Sequence, residues 1–187
     1  MKILITGGAG YIGSELVDHL IDEHEIYVYD SMLFEPTSLL RYASHRNFNF
    51  LKEDVRDKRE LSKYLHNCDL IIPLAAIVGF PLCEKDPKKA MEVNYEINKW
   101  IANNKSKNQM VIYPCTNSGY GTTTGEQYCT EASPLNPITT YGISKVKGEE
   151  AFRNVENHVT FRLATVFGPS SRMRTDLLVN NFVLKAI

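Results

Sequence analysis

The sequence predicts an α/β fold: a doubly wound parallel sheet with helices on both faces, in three α/β/α layers. Three observations lead there. A short apolar strand at residues 3–5 runs straight into a glycine-rich turn that opens an amphipathic helix. Further apolar, strand-like runs alternate with helical periodicity along the rest of the chain. At 187 residues, 43% of them hydrophobic, the chain is long enough to bury a substantial core.

The first strand is followed by Gly7, Gly10 and Gly13 and by a helix whose apolar positions are Ile12, Leu16, Val17 and Leu20. The first glycine permits the tight turn, the second lets a pyrophosphate approach the backbone, and the third lets helix and strand pack closely. The bare N–H groups and positive dipole at the helix start favour an anion. A second strand over 25–30 ends in Asp30, where a ribose acceptor is expected. A carboxylate there accepts from both adenosine ribose hydroxyls and repels a 2′-phosphate, which favours NAD over NADP. The plainer reading of Asp30, a turn or cap aspartate, leaves that spacing unexplained.

The third strand, 47–51, leads into Glu53-Asp54-Val55-Arg56, and the fourth, 69–74, enters Ala75-Ala76. A long helix over 87–103 has Ala90, Val93, Ile97 and Ile101 on its buried face. Residues 110–114 form the fifth strand. Asn136-Pro137 starts the next helix, with Asn as cap and Pro in the first turn. Residues 159–163 form the sixth strand.

That helix carries Tyr141-Gly-Ile-Ser-Lys145, in which Tyr and Lys lie on one face, one turn apart. A tyrosine is a poor base near neutral pH because its unperturbed pKa is about 10. A neighbouring ammonium favours the phenolate and lowers that value, as does the positive nicotinamide of an oxidised cofactor. An exposed Tyr/Lys pair on an amphipathic helix is the ordinary alternative; following a dinucleotide fingerprint, the pair reads as an acid–base site.

Composition excludes other classes. The net charge of −1 gives no general attraction to nucleic acid or to anionic membranes. The four cysteines, Cys68, Cys83, Cys115 and Cys129, show no CxxC or zinc spacing and read as packed free thiols of a reducing, cytoplasmic compartment. The five histidines are scattered and offer no metal-ligand spacing, so no metal is expected. No apolar run is long enough to span a bilayer, and the apolar start is too short for a signal peptide.

Taken together, the motifs resemble those of the extended short-chain dehydrogenase/reductase family, specifically its nucleotide-sugar epimerases and dehydratases. The matches are Gly7-Gly-Ala-Gly-Tyr-Ile-Gly13, Asp30, Asp54-Val55, Leu74-Ala75-Ala76, Asn94, Thr116 ahead of Gly119-Tyr120-Gly121, Tyr141-x-x-x-Lys145 and Phe167-Gly168-Pro169, in family order along nearly the whole chain. The resemblance implies a Rossmann-like fold that binds NAD through Gly7, Gly10, Tyr11, Ile12, Gly13, Asp30 and Ser31. It puts Asp54 and Val55 at the adenine, lines the cleft with Leu74, Ala75 and Ala76, and gives Asn94 the support of the active-site helix. It makes Thr116, Tyr141 and Lys145 catalytic: Tyr141 the base, Lys145 also a holder of the nicotinamide ribose, Thr116 a hydrogen-bond partner of the hydroxyl being oxidised.

The implied substrate is a nucleotide-diphospho-sugar, oxidised to a transient keto-sugar and re-reduced from its other face. In the family's 4,6-dehydratases an Asp-Glu pair follows the catalytic Thr; here Asn117 and Ser118 follow it, which favours epimerisation over dehydration. Keto-sugar reduction is the next reading, and a catalytically silent NAD-binding sensor a third, against which the intact Thr116, Tyr141 and Lys145 argue. Catalysis by Cys115 or Cys129 has no support beyond their position. Arg172, Arg174 and Asn181 are expected at the diphosphate, with Asn117, Ser118 and Thr165 near the sugar, although many relatives carry Asn at the Thr165 position. The resemblance divides the chain into an NAD-binding domain, 1–165, and the start of a substrate-binding region, 166–187. It implies that the rest of that region lies in a longer protein, leaving Phe182, Val183 and Ile187 exposed and prone to self-association. A homodimer pairing through two helices per subunit follows by analogy.

Overall fold

The structure, a computed structural model, describes residues 1–34, 37–122 and 128–187. Its strands are β1 (Lys2–Thr6), β2 (Glu25–Asp30), β3 (Phe48–Lys52), β4 (Leu70–Pro73), β5 (Met110–Thr116) and β6 (His158–Leu163). Its helices are α1 (Tyr11–Leu20), α2 (Lys58–Leu65), α3 (Phe80–Lys85), α4 (Pro87–Met91), α5 (Ile97–Asn104), α6 (Thr140–Phe152) and α7 (Leu178–Ala186). The residues fall into two compact units, Met1–Ala75 with Thr165–Ile187, and Ala76–Ala164.

In the first unit the strand order is β3-β2-β1-β4. All pairs are parallel, with Ile3 opposite both Ile26 and Leu70, and Ile26 opposite Phe48. A central parallel strand is covered on both faces, and Ile3, Leu4, Ile5 and Thr6 are accordingly buried in succession. The buried side of α1 is narrower than its apolar pattern suggests. Gly13, Ser14 and Val17 are buried, whereas Ile12, Leu16 and Leu20 stay half-buried. The reason is steric: a Cβ on Gly13 would stand 2.5 Å from the Gly8 Cα, so the helix approaches along its small residues. Ile12 and Leu16 line an open groove with Val166, Phe167 and Pro169. The Asp57 carboxylate caps α2 by accepting from the N–H groups of Arg59 and Glu60.

In the second unit β5 and β6 pair in parallel, Val111 opposite His158. The helix expected over 87–103 is present with Ala90, Val93, Ile97 and Ile101 buried, but it is interrupted. Residues Glu92–Glu96 form a π-turn between α4 and α5, and Asn94 sits within it. The start of α6 also differs from the expectation. The cap is Thr139, whose Oγ1 accepts from the Gly142 N–H at 3.0 Å, and not Asn136. The Asn136 carbonyl oxygen instead packs against Gly121, at φ +64°, where a Cβ would overlap it. Cys68, Cys83 and Cys115 are buried and outside any disulfide, while Cys129 is exposed. Among the described residues no helix is long and apolar enough to cross a membrane.

The approach of α6 to β5 depends on Gly148, where a Cβ would overlap the Tyr113 hydroxyl oxygen and stand 2.8 Å from Tyr113 Cζ. Tyr113 is fully buried and has no room to swing aside. Gly148→Ala should therefore lower stability by about 1–3 kcal/mol, despite alanine's better helix propensity. Denaturant unfolding of both proteins measures this.

Candidate active site

In the first unit the turn between β1 and α1 is built from backbone. The Gly7 N–H donates to the Tyr29 carbonyl at 2.8 Å, and the Gly10 N–H to the Gly7 carbonyl at 3.0 Å. Gly7 has φ +71°, and a Cβ there would stand 2.5 Å from the Ala75 nitrogen; only glycine meets both demands. Helix α1 starts at Gly10 without a side-chain cap and without an acidic residue in its first turn. Its leading N–H groups thus have no side-chain cap and no carboxylate within their own turn, an arrangement that fits a dinucleotide phosphate.

Asp30 is tied into this turn. Its Oδ2 accepts from the Ala9 N–H at 3.0 Å and its Oδ1 from the Met32 N–H at 2.8 Å. Burial pushes its carboxyl pKa up, and these two backbone donors pull against that. Each carboxylate oxygen keeps a further acceptor site. Buried Ser38, which the sequence reading missed, fixes the turn from outside by donating to the Ala9 carbonyl at 2.9 Å. Ser31 is exposed and Val55 buried. Asp54 is forked by the Arg56 guanidinium, with Nη2 at 2.7 Å. Leu74, Ala75 and Ala76 are all half-buried after β4.

The segment after β6 is held by its own contacts. The Tyr11 hydroxyl donates to the Gly168 carbonyl at 2.6 Å. The residues expected at a diphosphate have separate local partners. Arg174 forks onto Asp176, with Nε at 2.7 Å. The Arg172 guanidinium lies 5.2 Å from the centre of the Phe34 ring, and the Asn181 amide donates to the Thr175 carbonyl at 3.1 Å. Thr165 is exposed. Asn180, the neighbour that the sequence reading passed over, is the buried member of this pair.

In the second unit Thr116 ends β5, and its Oγ1 accepts from the Ser118 N–H at 3.2 Å, starting a tight 3₁₀ turn over Asn117–Tyr120. Asn117 and Ser118 are themselves exposed. The Ser118 carbonyl would stand 3.2 Å from a Cβ on Gly142, so this turn lies against the first turn of α6, which carries Tyr141. One turn on, Lys145 is 4% exposed. Its ammonium stands 4.3 Å from the centre of the Tyr113 ring, whose hydroxyl donates to the Lys145 carbonyl at 3.0 Å. Burial pushes the Lys145 pKa down from 10.5 to about 8.

Asn94 supports this helix from the π-turn. Fully buried, it accepts from the Ile77 N–H at 2.8 Å and donates to the Ile77 carbonyl at 2.9 Å and to Ser144 Oγ at 3.0 Å. Cys115 donates to the Lys145 carbonyl at 3.6 Å. Burial and a hydrogen bond to Glu149 push its thiol up to about 12, the opposite of a nucleophile's requirement. Glu149, another turn along α6, is forked by Arg162 of β6 at 2.6 and 3.1 Å. Burial raises its pKa, but hydrogen bonds from Arg162 and Cys115 outweigh this and hold it low. Arg162 also donates to the Tyr120 hydroxyl at 3.1 Å, joining α6 to the turn after Thr116. No spacing rule in the sequence points to Ser38, Tyr113, Arg162 or Asn180.

A family model described as the NAD dependent epimerase/dehydratase family matches residues 3–187. The chain belongs to that family. The protein called uncharacterized UDP-glucose epimerase YtcB, of Bacillus subtilis, is 28% identical over 199 residues, covering 98% of this chain and 61% of that protein. The structure of UDP-glucuronic acid 4-epimerase from Bacillus cereus, in complex with NAD, matches with a TM-score of 0.84 and 28% identity over all of this chain and 62% of that one. UDP-N-acetylglucosamine 4-epimerase from Methanobrevibacter ruminantium, in complex with UDP-N-acetylmuramic acid, matches with a TM-score of 0.86 and 26% identity, over 99% of this chain and 63% of that one. The chain therefore spans somewhat under two thirds of the length of these epimerases. The fold is Rossmann-like, as in these members of the epimerase/dehydratase family.

The buried Lys145 gives a signed pH dependence. Its folded pKa, about 8, lies below the unfolded value of 10.5, so the unfolded chain holds more protons between those limits and stability from this group rises with pH across them. The shift corresponds to about 3 kcal/mol. Lys145→Met, which has nothing to titrate, should be more stable than wild type at pH 7, and most of that advantage should vanish by pH 10. Urea unfolding of both proteins at the two pH values checks it.

Proposed function

We propose that this chain carries the cofactor site and catalytic residues of an NAD-dependent epimerase acting on a nucleotide-diphospho-sugar. The observation that carries the reading is Lys145, buried one helical turn after Tyr141 on α6, with Thr116 at the end of the adjoining strand. Held by Gly7, Gly10 and the first turn of α1, NAD would supply a reversible hydride acceptor for the sugar carbinol carbon. Tyr141 takes the proton of the sugar hydroxyl as its C–H bond breaks, and gives it back on reduction of the transient keto-sugar. The Lys145 ammonium favours the phenolate form of Tyr141 that this requires. Thr116 uses one acceptor position on Ser118, and its hydroxyl donor is assigned to the substrate oxygen. Asn117 and Ser118 provide no acid or base near neutral pH, which favours epimerisation over elimination.

On this reading the first-turn N–H groups of Tyr11, Ile12 and Gly13 hold the dinucleotide phosphate beside Gly7 and Gly10. Asp30, with Ser31 next to it, reads the adenosine ribose; Asp54 and Val55 serve the adenine, and Leu74, Ala75 and Ala76 line the cleft. Lys145 also holds the nicotinamide ribose. Asn94, whose amide is spent on Ile77 and Ser144, serves by holding α6. Arg172, Arg174 and Asn181 serve the diphosphate and Thr165 the sugar, and a phosphate at Arg174 must compete with Asp176. The names of the three relatives, all UDP-sugar epimerases, support a uridine nucleotide.

NAD at a hundred times its dissociation constant should stabilise the folded chain by about 2.7 kcal/mol, with little effect from NADP at equal concentration. Thermal unfolding measures both. Tyr141→Phe in the full-length protein should retain NAD binding and lose roughly 10²–10⁴ in turnover. Unchanged turnover in that variant would remove Tyr141 from the chemistry.

A further inference from the structure

Asn180 of α7 is 6% exposed, and both polar atoms of its side chain are engaged. Its Oδ1 accepts from the Gly168 N–H at 2.9 Å, and its Nδ2 donates to the Tyr11 hydroxyl at 3.0 Å and to the Arg174 carbonyl at 2.9 Å. The Tyr11 hydroxyl in turn donates to the Gly168 carbonyl. Beside this ring, Ser170 Oγ bonds the Tyr11 carbonyl at 2.8 Å and Ser14 Oγ at 2.9 Å. The Ser171 N–H donates to the Glu15 carboxylate at 3.1 Å. The first turn of α1 and the loop 168–174 thus share one hydrogen-bonded cluster, largely closed off from solvent at Asn180. The cluster holds the loop that carries Arg172 and Arg174 against the turn whose N–H groups are left without a side-chain acceptor.

We infer that Asn180 is a positioning residue: through the Tyr11 hydroxyl it locks the 168–174 loop to the first turn of α1, so that a dinucleotide phosphate held at that turn also orders the loop. The inference rests on the reading of that turn as the NAD phosphate site. The physical route is short. An anion on the leading N–H groups restrains the Tyr11 backbone, and the Tyr11 ring and hydroxyl carry that restraint to Gly168 and Asn180. Restraint gained once need not be gained again, so coupling between turn and loop is positive and reciprocal.

Amide hydrogen exchange reads this directly, because the N–H groups of Gly168, Ser171 and Arg172 are donors within the cluster. Saturating NAD should slow their exchange by about tenfold in the wild-type chain. In Tyr11→Phe, which keeps the backbone N–H and loses the hydroxyl, the slowing should fall below about twofold at saturation with NAD. Asn180→Leu removes every hydrogen bond of the side chain to Tyr11 and Gly168 and should behave like Tyr11→Phe; it keeps the test usable if one variant fails to fold. Equal slowing in wild type and the folded variants overturns the inference alone. Failure of the wild type to bind NAD overturns the cofactor reading, and this inference with it.

Discussion

Keeping an ammonium out of water on the inner face of α6 is the constraint around which the second unit is arranged. A buried charge is costly unless something nearby replaces its hydration, and Lys145 has the face of the Tyr113 ring instead of a carboxylate. The quadrupole of a ring is a milder partner. Burial beside it keeps the lysine pKa low, near 8.

That choice propagates outward. For the Tyr113 ring to lie under Lys145, its hydroxyl must pass α6 at Gly148, where no side chain fits, and find a partner, which it does in the Lys145 carbonyl. The helix is then fixed at its other side by Asn94. A π-turn carries one residue more per turn than the α-helix and commonly marks a functional position. Here it holds Asn94 at the point from which one amide satisfies both the Ile77 backbone and Ser144. Further along α6, Glu149 and Arg162 fix the helix against the turn after Thr116. Three different kinds of contact (a missing side chain, a buried amide and a half-buried ion pair) therefore act on one helix.

The sheet and the backbone-built part of the site were legible in the sequence because they follow from local rules. Strand 25–30 is copied in β2 to the residue, since alternation, flanking polarity and the terminal Asp30 all agree. Gly7 and Gly13 read correctly because steric exclusion leaves glycine no substitute there. The failures arise where distant packing decides. Asn136-Pro137 has the chemistry of a helix start, yet the cap is Thr139, while the Asn136 carbonyl packs against Gly121. The π-turn was invisible because Ala90, Val93, Ile97 and Ile101 keep an α-helical spacing across it. Asn180 and Asn181 differ by one position and hence by about 100° around the helix. Nothing in the sequence says which faces inward. The pairing of Arg174 with Asp176, two residues on, was likewise not signalled, because Asp176 looks like any loop carboxylate.

The two units thus hold their candidate site groups by different physics. Around α1 the groups are main-chain N–H donors, fixed by turn geometry and by the exclusion of Cβ atoms, and a side-chain change reaches them only through strain. On α6 the buried Lys145 ammonium is a side-chain group whose acidity is set by burial, and a change in packing there alters its protonation before it alters shape. Tyr11 is the exception on the first side: its backbone belongs to the turn, while its hydroxyl belongs to a side-chain cluster with Gly168 and Asn180. A phenylalanine would fill the same volume and leave the turn intact. The hydroxyl is therefore explained by the loop it holds and not by the packing of α1, and a side chain retained for one hydrogen-bonding atom is better read as a connection between segments than as part of the core.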